Sequence, residues 1–233
     1  MAKRKSSPSA ADAQVEVQEV KTTAAPFWEK NQNLLLYGLG ALALIVLGWW
    51  GYKVLVAEPQ QEEAVGAMWQ AQVQFDRDSF KLALENPGGG YDGFLGIIDK
   101  YGSSKAGNIA HYYAGICYLQ MGDFDNAINQ LEDFDASGDL MPIMKNGVLG
   151  DCHSEKKEFD KALDYYGKAA SSGKNDLLAA YYLKKLGMLY EHEGNKEAAR
   201  EAFERLRRDF PNPSSPDWRD IEKYIYRAGA ASK

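Results

Sequence analysis

From Leu34 to Tyr52 the chain runs nineteen residues without a charge, LLLYGLGALALIVLGWWGY, and Lys53 is the only charge before Ala57. About 20 helical residues, at about 1.5 Å each, cross a hydrocarbon layer of about 30 Å. A core helix of a soluble domain is shorter and amphipathic. Phe27 and Trp28 precede the run, and Trp49, Trp50 and Tyr52 close it. Aromatic rings favour the headgroup level, and Lys53 can extend outward to water. The run is too long for the apolar region of a cleaved leader, more than thirty residues precede it, and no good small-residue cleavage site follows. Residues 27–57 are therefore expected to be a transmembrane anchor.

Charge orients it. Lys3, Arg4, Lys5, Lys21 and Lys30 precede the run, whereas Glu58, Glu62 and Glu63 come after Lys53 and before the next cation, Arg77. Cations favour the cytoplasmic side, so the N-terminus is expected inside and the remainder outside, which in a bacterium is the periplasm. Residues 1–57 carry net +2 and residues 60–233 net −7. The whole chain is −6 with pI about 5.2, without the basic footprint of a nucleic-acid binder. Residues 1–26, rich in Ser, Ala, Val, Gln and Glu, cannot bury a core, and a disordered cytoplasmic tail is expected there.

Beyond the anchor, three segments share one skeleton. The clearest is Leu183-x2-Leu186-Gly187-x2-Tyr190, followed by Ala199-x3-Phe203 and Pro211. A second has Ala114-Gly115-x2-Tyr118 and Ala127-x3-Leu131. The third has Leu149-Gly150-x2-His153 and Ala162-x3-Tyr166. In each, the glycine precedes the alanine by twelve, and the glycines recur after 35 and 37 residues. Glycine inside a helix costs about 1 kcal/mol against alanine, so three at one repeat position imply close packing against the paired helix. Gly122-Asp123 and Gly194-Asn195 mark turns between the two helices of a unit.

This skeleton resembles the tetratricopeptide signature, with Leu183 in place of its tryptophan. The resemblance implies an all-α fold, an N-terminal transmembrane helix followed by a tetratricopeptide-repeat superhelix of about eight helices over residues 60–233. The expected repeats are 60–105, 106–140, 141–174 and 175–211. In the first, Ala64, Met68, Ala71 and Phe75 lie at helical spacing on a helix from Gln60 to Leu84. Asn86 to Gly90 breaks it, and Phe94, Ile97, Ile98 and Tyr101 mark another. A capping helix is expected over 217–228, with Asp217 as N-cap and Trp218, Ile221, Tyr224 and Ile225 on one face.

A basic-flanked anchor with a repeat domain outside the membrane also resembles the single-pass ancillary subunit of the bacterial Sec translocon. That likeness lies in the layout, over roughly residues 27–211. It implies residence in the bacterial inner membrane and protein partners: translocon components, periplasmic chaperones or client polypeptides.

Catalytic constellations are missing from the sequence. It has no G-x-x-x-x-G-K-[ST], G-x-S-x-G or H-E-x-x-H. Cys117 and Cys152 hold equivalent places in adjacent repeats, where helices 8–10 Å apart keep them from sharing a bond or a metal. The chain is expected to be no enzyme and to need no metal or cofactor. Acidic clusters such as Glu132-Asp133 read as solvated faces. Stacked repeats leave a concave face lined by the first helix of each unit. Aligning the copies places Ile109, Tyr112, Ile116 and Leu119, then Met144 and Asp151, then Tyr181, Lys184 and Met188 on it as a protein-binding groove. The alternative is that the groove is filled as ordinary core, by the helix before Asn86 or by the C-terminal helix.

Overall fold

The structure is a computed structural model that describes residues 10–172, 174–211 and 220–229, with side chains from residue 30 onward. The described residues form helices and no strand, in two units, 1–59 and 60–233.

The first unit is one long helix, α1 (Ala10–Tyr52), followed by a π-helical turn, Lys53–Ala57. From Leu34 to Tyr52 its large apolar side chains are exposed on every side except Leu35, which is half-buried. An 18-residue window reaches a mean hydropathy of 1.9 with none of it buried, so this helix is long and apolar enough to cross a membrane. The ammonium of Lys53 lies 5.9 Å from the Trp49 ring centroid. Where a disordered tail is expected over 1–26, the backbone is helical from Ala10. Nucleation is the unfavourable step in helix formation, and extending a helix already formed by the apolar run needs no core. Residues 1–9 of that expected tail lie outside the described residues.

The second unit holds ten described helices rather than about eight: α2 (Glu58–Phe75), α3 (Phe80–Glu85), α4 (Phe94–Tyr101), α5 (Lys105–Gln120), α6 (Phe124–Asp133), α7 (Met141–Glu155), α8 (Phe159–Ala169), α9 (Asp176–His192), α10 (Lys196–Asp209) and α11 (Ile221–Gly229). Asp217 and Trp218 of the expected capping helix lie outside the described residues.

Three helical hairpins, α5–α6, α7–α8 and α9–α10, repeat one device. Seven residues after Gly115, Gly150 and Gly187 the chain enters the left-handed region, at Gly122 (φ 79°), Lys157 (φ 62°) and Gly194 (φ 78°). The next amide closes the helix by donating back to a carbonyl five residues earlier: Asp123 to Tyr118, Glu158 to His153 and Asn195 to Tyr190, each at 2.9 Å. These six-to-one bonds satisfy carbonyls that the helix end leaves unpaired. Asp123 and Asn195 then cap the second helices by accepting from Asn126 and Ala198.

The mid-helix glycines answer to side chains sixteen residues on. A Cβ on Gly115 would lie 2.6 Å from Leu131, on Gly150 2.6 Å from Tyr166, and on Gly187 2.5 Å from Phe203. Ala127, Ala162 and Ala199, the partner alanines, are fully buried.

The same device recurs once more, and it corrects the reading of the first repeat. Asp78 has φ 56°, and the Ser79 amide donates to Gln74 at 2.9 Å. Counting back seven gives Ala71, and counting on twelve from there gives Ala83, both fully buried in one cluster. The first hairpin is therefore α2–α3, turning at residues 76–79 rather than running helical to Leu84. Helix α4 is an insertion that stretches the period. Phe94 on α4 stacks on Tyr113 of α5 with centroids 5.1 Å apart, and Phe75 meets Tyr113 edge-on, also at 5.1 Å.

Three clusters then run along the stack, around Phe94 and Ile97, around Leu131 and Phe134, and around Leu183 and Phe203. At the C-terminal end α11 buries Ile221 and stacks Tyr224 on Phe203 at 5.2 Å.

Candidate functional site

Two adjoining cavities form a trough lined by α5, α7 and α9, the first helices of three successive hairpins, with Phe124 of α6 and Phe159 and Tyr166 of α8. One, about 460 Å³, lies among Leu119, Phe124, Asp151, Ser154, Tyr166 and Lys185. The other, about 340 Å³, lies among Ser154, Phe159, Tyr166, Lys185, Met188 and His192. Ser154, Tyr166 and Lys185 belong to both. Each cavity has the size of a small-ligand or side-chain pocket.

A polar hub stands where they meet. The Tyr166 hydroxyl donates to Asp151 Oδ1 at 2.6 Å, and Lys185 Nζ donates to the same oxygen at 2.7 Å. The Lys185 ammonium also faces the rings of Tyr181, Tyr166 and Tyr182, at 5.2, 5.6 and 6.0 Å from their centroids. Burial pulls the Lys185 ammonium toward neutrality. The charge and the hydrogen bond of Asp151 more than offset this and hold it above its ordinary range. Burial, then the Asp151 charge, push the Tyr166 and Tyr182 phenols far upward. Burial, with Tyr113 and Asp151, pushes Tyr112 up to about 12. The hub is a Lys185–Asp151 ion pair ringed by phenols. It is a directional polar anchor between two partly apolar pockets.

The nine residues placed on the concave face by alignment divide. Leu119, Asp151 and Met188 line the trough, and Met188 is 45% exposed. Ile109, Ile116 and Met144 are half-buried against the middle cluster. Tyr181 is exposed at the rim, its ring 5.0 Å from that of Tyr182. Lys184 turns instead to the C-terminal helix, with its ammonium over the Tyr224 ring. Tyr112 is core rather than lining: it is buried, with its ring 5.4 Å from Phe134. Lys185, next to Lys184, is the lysine that lines the trough. Of the two proposed plugs, α11 packs on α10 and does not line either cavity, and neither does α2.

Away from the trough, Cys117 and Cys152 are free, buried thiols whose pKa burial pushes up to about 12. That is the chemistry of inert packing groups. His153 is buried as well. It stacks on Tyr165 and its Nδ1 lies 2.8 Å from Glu158 Oε2.

A family model described as a tetratricopeptide repeat-like domain matches residues 26–212. No curated protein matches the chain.

Proposed function

Because the chain belongs to the tetratricopeptide repeat-like domain family, we propose that it is a membrane-anchored protein-interaction module that holds or recruits other polypeptides. The observation that carries this reading is the trough across α5, α7 and α9, with its polar hub and its apolar lining of Met188, Leu119 and Phe159. A methionine-containing, partly apolar groove can adapt to varied sequences, and the hub supplies hydrogen-bond partners for a backbone.

The uncharged run of α1 is the anchor in this reading. The cations ahead of it and the glutamates behind it favour an N-terminus in the cytoplasm and repeats outside the bacterial inner membrane, in the periplasm. Tethering raises local concentration toward the millimolar range, so a weak groove suffices. The layout resembles the ancillary subunit of the Sec translocon. The partners we propose are accordingly chains emerging from a translocation or envelope-assembly machine, or the periplasmic chaperones that receive them.

A competing reading is a fixed scaffold with one permanent partner docked elsewhere. The pinning of Asp151 by both Tyr166 and Lys185 favours it, since the centre of the trough is already occupied by its own side chains. A photo-crosslinker at position 188 of the full chain in native membranes separates the two. Crosslinks to many translocating chains or to chaperones support a client groove. A single invariant product, or none, supports the scaffold. Protease access in spheroplasts tests the orientation separately: the repeats are expected to be digested without breaching the inner membrane.

A further inference from the structure

The first repeat leaves uncovered a face that the later repeats cover. In α5, α7 and α9 the centre of one stripe, running from nine residues before the packing glycine to two after it, faces the preceding repeat, while Tyr181 at the margin of the last stays 39% exposed. At its centre, Tyr113 packs on Phe75 and Phe94, Val148 is buried in the cluster of the preceding hairpin, and Lys185 bonds Asp151. The equivalent stripe on α2, counted from Ala71, is Glu62, Val65, Gly66, Trp69 and Val73. Val65 is 55% exposed and Trp69 63% exposed, Val73 is half-buried, and nothing lies within 4 Å of a Cβ built on Gly66. At the other end of the array, α11 covers the corresponding surface of the last hairpin.

We propose that this stripe on α2 is a second docking surface, and that it takes a helix of a partner protein with a small apolar stripe flanked by lysine or arginine. The stacking register argues for a helix, because helices of the preceding unit meet the central position of the stripe in each later repeat. Charge argues for cations. Helix α2 carries Glu58, Glu62 and Glu63 and no lysine or arginine, and Glu63 accepts from the Tyr101 hydroxyl. Two copies meeting face to face would oppose these glutamates. The apolar part of the stripe is small, three side chains with Glu62 at one end. Such an area suits a partner that comes and goes better than a permanent one.

The test uses the full chain in zwitterionic nanodiscs. The probes are two synthetic helices of about 18 residues, roughly 27 Å long, with one leucine–alanine stripe and either lysines or glutamates beside it. Fluorescence anisotropy is expected to show binding of the lysine helix and not of its glutamate twin. Trp69→Ala is expected to weaken it about thirtyfold, the effect of removing an aromatic hot spot. Glu62→Lys is expected to reverse the preference, and Leu119→Ala with Met188→Ala to leave it unchanged. Equal binding by Trp69→Ala, or no binding of either helix, overturns the proposal. A Trp69-dependent dimer in sedimentation overturns it in favour of a second copy of the chain.

Discussion

Lys157 holds a backbone conformation that glycine holds in the neighbouring repeats. At φ 62° it does what Gly122 and Gly194 do at nearly the same angle. A side chain in the left-handed region costs about 1–2 kcal/mol. Part of this is returned by the lower unfolded-state entropy of a non-glycine residue. Lys157→Gly is therefore expected to stabilise the repeat domain by about 0.5–1 kcal/mol, a rise of roughly 1–4 °C in Tm; an unchanged or lower midpoint in a thermal melt would count against it. Gly187→Leu works in the opposite direction. Its side chain would begin 2.5 Å from the Phe203 ring, and overpacking of this kind costs about 1–3 kcal/mol or more. The neighbouring Glu158 gives a pH signature. Its bond from Lys161, then those to His153 and Lys156, hold its carboxyl at about 2, below the ordinary 4.5. A depressed carboxylate contributes its full stability above the unfolded value and loses it as pH falls toward the folded one. Melts between about pH 5 and pH 2 should lose less stability in Glu158→Gln than in the parent, because the variant has no proton to take up there.

At the level of helices, what can be read from the chain depends on how strictly the device is spelled. Glycine and alanine twelve apart mark three hairpins openly, and a glycine at the turn marks two of them, Lys157 standing in the third. The first hairpin is spelled with Ala71 for glycine and Asp78 for the turn, and α4 lengthens its period. The strong breakers Asn86 to Gly90 therefore mask the real turn at residues 76–79. The trough is legible as a face and not as a site. Asp151 is 15 residues from Tyr166 and 34 from Lys185, so only tertiary packing brings the hub together. Tyr112 is core for the same reason: it is buried in the middle cluster together with Phe134, which lies in no repeat motif. Asp78 allows an element-scale check of the first hairpin. If α2–α3 is a true repeat, Asp78→Gly should raise Tm as Lys157→Gly does, by about 1–4 °C, whereas a loss of stability would mean that its turn is held by other contacts.

Two parts of the chain follow different physics. The apolar run from Leu34 to Tyr52 leaves its large side chains exposed, and the array from residue 60 buries its own cores. Residues 60–233 are accordingly expected to fold without the anchor, with a helix-rich circular dichroism spectrum and one cooperative melt; a coil-dominated spectrum would refute this. The central claim is that the trough between α5, α7 and α9 binds polypeptide. Its most direct test is the anisotropy of a labelled, permanently unfolded model polypeptide titrated with the full chain in nanodiscs, parent against Leu119→Ala with Met188→Ala. The account predicts saturable binding by the parent and at least about a thirtyfold loss in the double variant with its cooperative melt retained. Equal affinity for the two proteins would contradict it.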